Sequence, residues 1–235
     1  QFLIGEAWSQ AGNVDQSIQA YQQFLMFFPE SELRTTVQFR LGLQLFERED
    51  YMDAAVKFTA VVDQGDNEEL RPAALFNLAT AQQLLGDTAG SRASLERYRE
   101  NYPTDERELE IALQLGNLNE AEGDWEAAIT EYERALNAGV GEESMAEVLY
   151  RVGQCREYLT DLDGALIAYK RAMSNGPSRD PYRLSAVARI AAIYEDQEDY
   201  AGALDAYRDQ IRNSSDEELV AVAQTRADEL EAFLQ

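Results

Sequence analysis

Apolar and small residues recur along this chain at a spacing of 37 residues, with a single step of 38. One set of positions carries only Gly or Ala, a second set 12 residues later carries Ala or Ser, and a third set 4 residues further carries a large side chain. The three sets are Gly5, Gly42, Ala79, Gly116, Gly153 and Ala191; Ser17, Ala54, Ser91, Ala128, Ala165 and Ala203; and Tyr21, Phe58, Leu95, Tyr132, Tyr169 and Tyr207. A fixed period of this length is typical of stacked supersecondary units that cannot bury their apolar faces alone.

Each unit is predicted to contain two helices. The first has helical spacing, as in Leu75, Leu78 and Ala79. The second is predicted to begin after a residue that can accept a hydrogen bond from its first turn. These capping residues are Asn13, Asp50, Asp87, Asp124, Asp161 and Asp199, and the prolines that end the second helix in alternate copies are Pro29, Pro103 and Pro177.

The small residues of the first two sets predict where the two helices of a unit cross. A Gly or Ala on one helix that faces an Ala or Ser on the other permits a close approach of the helix axes. We expect the large residue of the third set to fill the space beside this crossing.

The same residues resemble the signature of the tetratricopeptide repeat family. The matching positions are Gly5-x2-Trp8, Gly12, Tyr21 and Pro29, followed by Ala128-x3-Tyr132-x2-Ala135 and Ala165-x3-Tyr169-x2-Ala172. This resemblance implies an all-α fold, a right-handed α-solenoid of six helical hairpins plus a C-terminal capping helix. The period is longer than the usual 34 residues. In this respect the chain is similar to tetratricopeptide proteins of bacterial cell envelopes, such as the Tol–Pal-associated division coordinator and the lipoprotein scaffold of the β-barrel assembly machinery.

The repeat register also predicts the domain organisation. We expect a single solenoid domain with repeats at 1–33, 34–70, 71–107, 108–144, 145–181 and 182–215, followed by a capping helix at 216–235. Because Gln1 falls inside the first helix of the first repeat, we expect the sequence to be part of a longer chain.

The charge of the chain narrows the class of partner. With 20 basic and 44 acidic residues the net charge is −24, which repels phosphate backbones and anionic lipid headgroups. We therefore expect no nucleic acid partner and no direct membrane insertion, and we expect a protein or peptide partner with a basic segment. The alternative is that the acidic surface reflects salt adaptation.

The residue types present argue against catalysis. The chain has no histidine, the commonest general base and metal ligand. Its one cysteine, Cys155, lies two residues after Gly153 on a helix that is predicted to pack, so we interpret it as a buried structural thiol. The sequence therefore predicts no enzymatic activity, no cofactor and no metal site.

The family resemblance implies that the first helices line a concave groove. Carried onto this register, the candidate partner-binding residues are Phe39, Arg40, Phe76, Asn77, Gln114, Asn117, Tyr150, Arg151, Gln154 and Arg189. Aromatic side chains beside amide and guanidinium donors suit an extended peptide. Two alternatives stay open: Phe39 and Phe76 pack in the core between units, or the arginines replace the lysines of the carboxylate clamp known in the family.

These observations together predict a non-catalytic protein–protein interaction scaffold that binds a peptide or partner protein in its groove. The resemblance to envelope proteins favours the periplasm or cell envelope, with the cytoplasm as the alternative. Two other functions stay open. The chain could be a structural subunit that uses its convex face and loops, or a regulatory domain of a longer enzyme or regulator.

Overall fold

The computed structural model describes residues 1–64, 67–103, 105–175 and 180–235. Within these ranges the chain forms thirteen α-helices and no strand, so the predicted all-α repeat architecture is confirmed. The helices are α1 (Phe2–Gln10), α2 (Val14–Phe27), α3 (Arg34–Glu47), α4 (Tyr51–Gln64), α5 (Arg71–Leu84), α6 (Thr88–Asn101), α7 (Glu108–Glu122), α8 (Trp125–Ala138), α9 (Glu142–Tyr158), α10 (Leu162–Asn175), α11 (Pro181–Asp196), α12 (Tyr200–Asn213) and α13 (Glu217–Phe233). Pro177, predicted to end a second helix, lies outside the described residues. None of the helices in the described ranges is long and apolar enough to cross a membrane.

The helices divide into two compact units, Gln1–Asp105 with α1 to α6 and Glu106–Gln235 with α7 to α13. In both units each odd-numbered helix up to α11 packs against the even-numbered helix that follows it, which gives the six predicted hairpins. Within each unit the second helix of one hairpin packs against the first helix of the next. The organisation of residues 1–215 as a single solenoid domain stays a prediction.

Glycine in the first set of positions is required by the aromatic ring of the third set. A methyl group on Gly5 would lie 2.5 Å from Cε1 of Tyr21, and a methyl group on Gly116 would lie 2.6 Å from Cε1 of Tyr132. Such distances are far inside van der Waals contact. The ring therefore lies across the glycine itself, rather than only beside the crossing as the sequence predicted.

The burial of the third set follows the same rule. The four copies with glycine have a fully buried aromatic ring there: Tyr21, Phe58, Tyr132 and Tyr169. The two copies with alanine have Leu95, which is smaller, and Tyr207, which is only half-buried. A fully enclosed ring at this position thus occurs in all four copies that have glycine and in neither copy that has alanine.

Four of the six predicted caps form as expected. The side chains of Asp87, Asp124, Asp161 and Asp199 each accept a hydrogen bond from the backbone amide three residues later. The prediction for Asn13 is wrong, because its side chain makes no capping hydrogen bond. Asp50 accepts a hydrogen bond from Nε of Arg48 at 2.6 Å.

Each hairpin turns at a residue with left-handed backbone geometry. These residues are Gly12, Glu49, Gly86, Gly123, Thr160 and Glu198, with φ between 62° and 77°. Their spacing follows the repeat, so the turn is a fixed part of each unit. Left-handed geometry is costly for a residue with a Cβ atom, and most of all for a β-branched residue such as Thr160.

The last helix, α13, behaves as the first helix of a seventh unit. It packs against α12, and Phe233 contacts Tyr200 with ring centroids 4.9 Å apart. Asp228 lies 37 residues after Ala191, at the position that is Gly or Ala in the six hairpins. Asp228 is exposed, and so are Leu219 and Val222 of the same helix. The role of α13 as a capping helix stays a prediction.

Candidate protein-binding groove

Successive hairpins are joined by a repeated chain of tyrosine, glutamate and arginine. The hydroxyl of Tyr132 donates to Glu120 at 2.5 Å, and Arg151 of the next hairpin donates to the same carboxylate oxygen at 3.1 Å. We call this arrangement the tyrosine–glutamate–arginine tie. The other ties are Tyr169–Glu157–Arg189, Tyr207–Glu195–Arg226 and Tyr21–Glu6–Arg40.

The ties shift the proton affinities of their members in opposite directions. Burial, followed by the hydrogen bond to Glu195, raises the pKa of Tyr207 to about 12. Burial alone would raise the pKa of Glu157, but hydrogen bonds from Arg189 and Tyr169 outweigh it and hold this pKa below its ordinary value. The tyrosines therefore stay neutral donors and the carboxylate of Glu157 stays ionised near neutral pH.

The ties engage all three arginines that the sequence analysis placed in the groove. Arg40 lies 3.5 Å from Glu6, Arg151 is bonded to Glu120 and Glu147, and Arg189 is bonded to Glu157. Guanidinium groups that already bind carboxylates are poor ligands for a further carboxylate. This geometry argues against the clamp for a C-terminal carboxylate.

Two adjoining depressions lie on the first helices of the second unit. One has a volume of about 480 Å³ and is lined by Tyr150, Gln154, Glu157, Tyr158 and Arg189. The other has a volume of about 310 Å³ and is lined by Asn117, Glu120, Ala121, Trp125, Arg151, Gln154 and Tyr158. Both are lined by Gln154 and Tyr158, so they adjoin at these two side chains. We call the pair of depressions over α7, α9 and α11 the second-unit groove. It brings together Asn117, Tyr150, Arg151, Gln154 and Arg189 of the predicted set.

The groove contains amide groups that can bind a ligand. Gln154 makes no hydrogen bond to any described residue and is half-exposed. Asn117 is exposed, and its Oδ1 lies 2.8 Å from the hydroxyl of Tyr132, which leaves its NH₂ group available. Amide groups of this kind can both donate to and accept from the backbone of an extended chain.

The aromatic wall of the groove was not among the residues predicted from the sequence. Tyr158 stacks on Trp125 with ring centroids 4.2 Å apart and an interplanar angle of 10°. Tyr158 is nevertheless 65% exposed and borders both depressions. A signal was present: Trp125 and Tyr158 are 33 residues apart, as are Tyr200 and Phe233, which also form a ring pair.

The remaining predicted residues do not line these two depressions. Phe39 is only 8% exposed and its ring lies 5.9 Å from that of Phe58, a position that favours core packing over ligand contact. Phe76 is half-buried, and Asn77 donates to the carbonyl of Ala73 at 2.8 Å. Gln114 in α7 has a buried Oε1 with no hydrogen-bond partner among the described residues.

Cys155 is fully buried, as the sequence predicted. Burial, followed by the nearby charge of Glu120, raises the pKa of its thiol to about 12. A thiol with this pKa is protonated at neutral pH and is a poor nucleophile. In the described part of the chain, no group of three Cys, Asp or Glu side chains could hold a metal ion.

Comparison with known families agrees with this geometry. One tetratricopeptide repeat model matches residues 1–31 and 73–105, and a second matches residues 113–180. Together they cover more than half of the chain. The chain belongs to the tetratricopeptide repeat family. No curated protein matches it at a significant level.

Solved tetratricopeptide repeat structures resemble the chain in fold. A structure of MamA has a TM-score of 0.61 at 19% identity, and the match covers 73% of this chain and 87% of the MamA chain. MamA from Desulfovibrio magneticus RS-1 has a TM-score of 0.58 at 12% identity, covering 76% and 93%. A tetratricopeptide repeat protein from Parabacteroides merdae has a TM-score of 0.61 at 13% identity, covering 97% and 84%. At such identities the likeness shows the fold alone.

Membership in the tetratricopeptide repeat family indicates a general kind of function. Tetratricopeptide repeat proteins are typically non-catalytic scaffolds for interactions between proteins, and the family match supports that general role for this chain.

Proposed function

We propose that this chain is a non-catalytic scaffold that binds an extended segment of a partner protein in the second-unit groove. The observation that carries the proposal is the convergence of Gln154, Asn117 and the exposed ring of Tyr158 around two adjoining depressions. Amide groups serve the backbone of the segment, and the stacked ring pair of Tyr158 and Trp125 offers a flat apolar surface to one of its side chains.

The charge of the chain supports a partner segment that is net positive. A chain at −24 attracts basic segments over long range, which speeds encounter and makes association sensitive to salt. Within the groove, the charges of Glu120 and Glu157 are matched by arginines. We therefore assign the attraction to the surface as a whole and the specificity to Gln154 and Tyr158.

The proposed setting is a complex of the bacterial cell envelope. The support for it is the long repeat, which the chain shares with envelope members of its family. A structural subunit that uses its convex face, or a regulatory domain in a longer chain, is the competing proposal. In the first of these cases the groove residues would not affect capture of partners.

Affinity capture from the native organism tests the groove. Wild-type chain, Gln154→Ala and Gln19→Ala are immobilised separately, since Gln19 is an exposed glutamine on α2 that undergoes the same change. The groove proposal predicts a partner that is retained by wild type and Gln19→Ala and is depleted on Gln154→Ala. Equal capture by all three chains would reject the groove and favour the convex-face proposal.

A further inference from the structure

Each of the two depressions in the second-unit groove is bordered by two aromatic side chains. Tyr150 and Tyr158 line the larger depression, and Trp125 and Tyr158 line the smaller one. Neighbouring rings hold these side chains in place, since Tyr158 stacks on Trp125 and the ring of Tyr150 lies 5.6 Å from that of Tyr169. Side chains that are already ordered lose little conformational entropy when a ligand binds. The groove therefore presents flat apolar faces that are fixed before a partner arrives.

The groove also has hydrogen-bond donors that are not in use. Nδ2 of Asn117, Nε2 of Gln154 and Nη1 of Arg189 make no hydrogen bond to any described residue. Its carboxylates are largely engaged: both oxygens of Glu157 and one oxygen of Glu120 already accept hydrogen bonds from tyrosine and arginine. A ligand in this groove thus finds N–H donors beside aromatic rings, and its own N–H groups find few free carboxylate oxygens.

This combination suits a proline-rich segment in the polyproline II conformation. Proline has no backbone N–H, so it brings no donor that needs a partner in the groove. The carbonyls of a polyproline II helix make no internal hydrogen bond and are open to donors from outside. Its pyrrolidine rings pack on aromatic side chains. A segment in the β conformation would instead bring N–H groups that require acceptors.

The dimensions of the groove indicate the spacing of the prolines. The smaller depression is formed with α7 and the larger one with α11, so α9 lies between them. An α-helix with its side chains is about 10 Å wide. One turn of a polyproline II helix contains three residues and rises about 9 Å. A segment that crosses α9 can therefore place two residues that are three positions apart in the two depressions.

We infer that the second-unit groove selects a proline-rich segment with the spacing Pro-x-x-Pro, one proline in each depression. The ring of Tyr158 contacts the prolines, and the side-chain amides of Gln154 and Asn117 donate to carbonyls of the segment. Basic residues of the segment, which the charge of the chain attracts, flank the prolines. This inference rests on the proposed function and specifies the class of segment that the groove takes.

Three synthetic peptides test the class of segment. The first has a Pro-x-x-Pro core flanked by arginines, the second replaces both prolines with alanine, and the third has the same composition with the two prolines adjacent. All three have the same length and charge. In a Trp8→Phe background Trp125 is the remaining tryptophan, and it lies directly against Tyr158. Its emission should change saturably with the first peptide, and the other two should bind at least about tenfold more weakly.

Calorimetry with the first peptide tests the residues in the otherwise unchanged chain. Tyr158→Ala and Gln154→Ala should each weaken binding at least about fivefold. The matched controls are Tyr158→Phe, which keeps the ring, and Gln19→Ala, which makes the same change on α2; both should bind like wild type. Absence of binding, equal binding of the three peptides, or binding that Tyr158→Ala leaves unchanged would overturn the inference.

Competition with the captured partner distinguishes failure of this inference from failure of the proposed function. The inference predicts that the first peptide displaces the partner from wild-type chain. A partner that depends on Gln154 but is not displaced would overturn the inference and leave the proposed function intact. Capture that does not depend on Gln154 would reject the proposed function, and this inference with it.

Discussion

The carboxylate of Glu120 in α7 accepts a hydrogen bond from the guanidinium of Arg151 in α9 at 3.1 Å. The two residues are in successive hairpins, and the hydroxyl of Tyr132 donates to the same oxygen at 2.5 Å. A buried tyrosine thus connects the interior of one hairpin to the surface of the next. These ties give the groove its shape, because the residues that complete them also form its walls.

Loss of the tyrosine hydroxyl should destabilise the second unit. Tyr132→Phe leaves the charge pair of Glu120 and Arg151 without its third member, and hydrogen bonds to charged groups contribute about 1.5–3 kcal/mol. We expect a loss of unfolding free energy in this range, measured by urea denaturation. The control is Tyr158→Phe, which removes the hydroxyl of an exposed ring and should change stability by less than about 0.5 kcal/mol. Equal effects of the two changes would contradict the tie.

A methyl group added at the helix crossing should lower the stability of the chain. In an exposed helix Gly→Ala is favourable by about 1 kcal/mol, but Gly116→Ala places a methyl group 2.6 Å from the ring of Tyr132. Overpacking of this kind costs about 1–3 kcal/mol, so the variant should melt at a lower temperature than wild type. The comparison is the same Gly116→Ala change in a Tyr132→Leu background, because the ring that the methyl group would meet is then absent. A rise in melting temperature for Gly116→Ala would show that the ring of Tyr132 does not lie across Gly116.

Replacement of Thr160 by glycine should stabilise the chain. Thr160 has a φ of 62°, a geometry that strains a β-branched residue by about 1–3 kcal/mol. The relief should outweigh the entropy that glycine adds to the unfolded state, which is below about 1 kcal/mol. Thr225→Gly, on the exposed face of α13, should destabilise the chain instead, because glycine is unfavourable inside a helix. Differential scanning calorimetry of both variants distinguishes the two signs; destabilisation by Thr160→Gly would argue against a strained turn.

The ties predict a loss of stability in acid. The pKa values of Glu157 and Glu195 are held below the ordinary 4.5 by hydrogen bonds from arginine and tyrosine, against the opposing effect of burial. Their contribution is fully present above pH 4.5 and is lost as the pH falls through the lowered values. Urea unfolding between pH 6 and pH 3 should show stability falling less steeply in the double variant Glu157→Gln, Glu195→Gln than in wild type. Identical slopes would mean that other carboxylates control acid unfolding.

The fold could be predicted from the sequence because its determinants are local and repeated. The spacing of Gly5, Ser17 and Tyr21 recurs in later copies and fixes which faces of the two helices meet. The predicted cap at Asn13 was wrong, since the pattern shows where a capping residue lies but not whether its side chain forms the hydrogen bond. The turn positions at Thr160 and Glu49 were missed because the glycine signal appears in only part of that register.

The groove was predicted less well, because its polar contacts link residues of different repeats. Arg151 and Arg189 were placed correctly on the first helices, but their carboxylate partners are 31 and 32 residues earlier. The sequence does contain a trace of this pairing. At the register position of Arg151, arginine occurs only where the preceding repeat has tyrosine in the third set. Where the preceding repeat has Phe58 or Leu95 instead, this position is Asn77 or Gln114. A single repeat shows only that an arginine is present on the first helix. The comparison of repeats shows that this arginine and the tyrosine of the preceding repeat occur together, which indicates a contact.

Calorimetry on the captured partner tests whether the second-unit groove is its binding site. Binding to wild type is compared with Gln154→Ala and Tyr158→Ala at two salt concentrations, with melting temperatures measured alongside. We expect each change to weaken binding by more than about 1 kcal/mol while the melting temperature stays close to wild type. Binding that both variants retain in full would contradict the claim and place the partner on another surface.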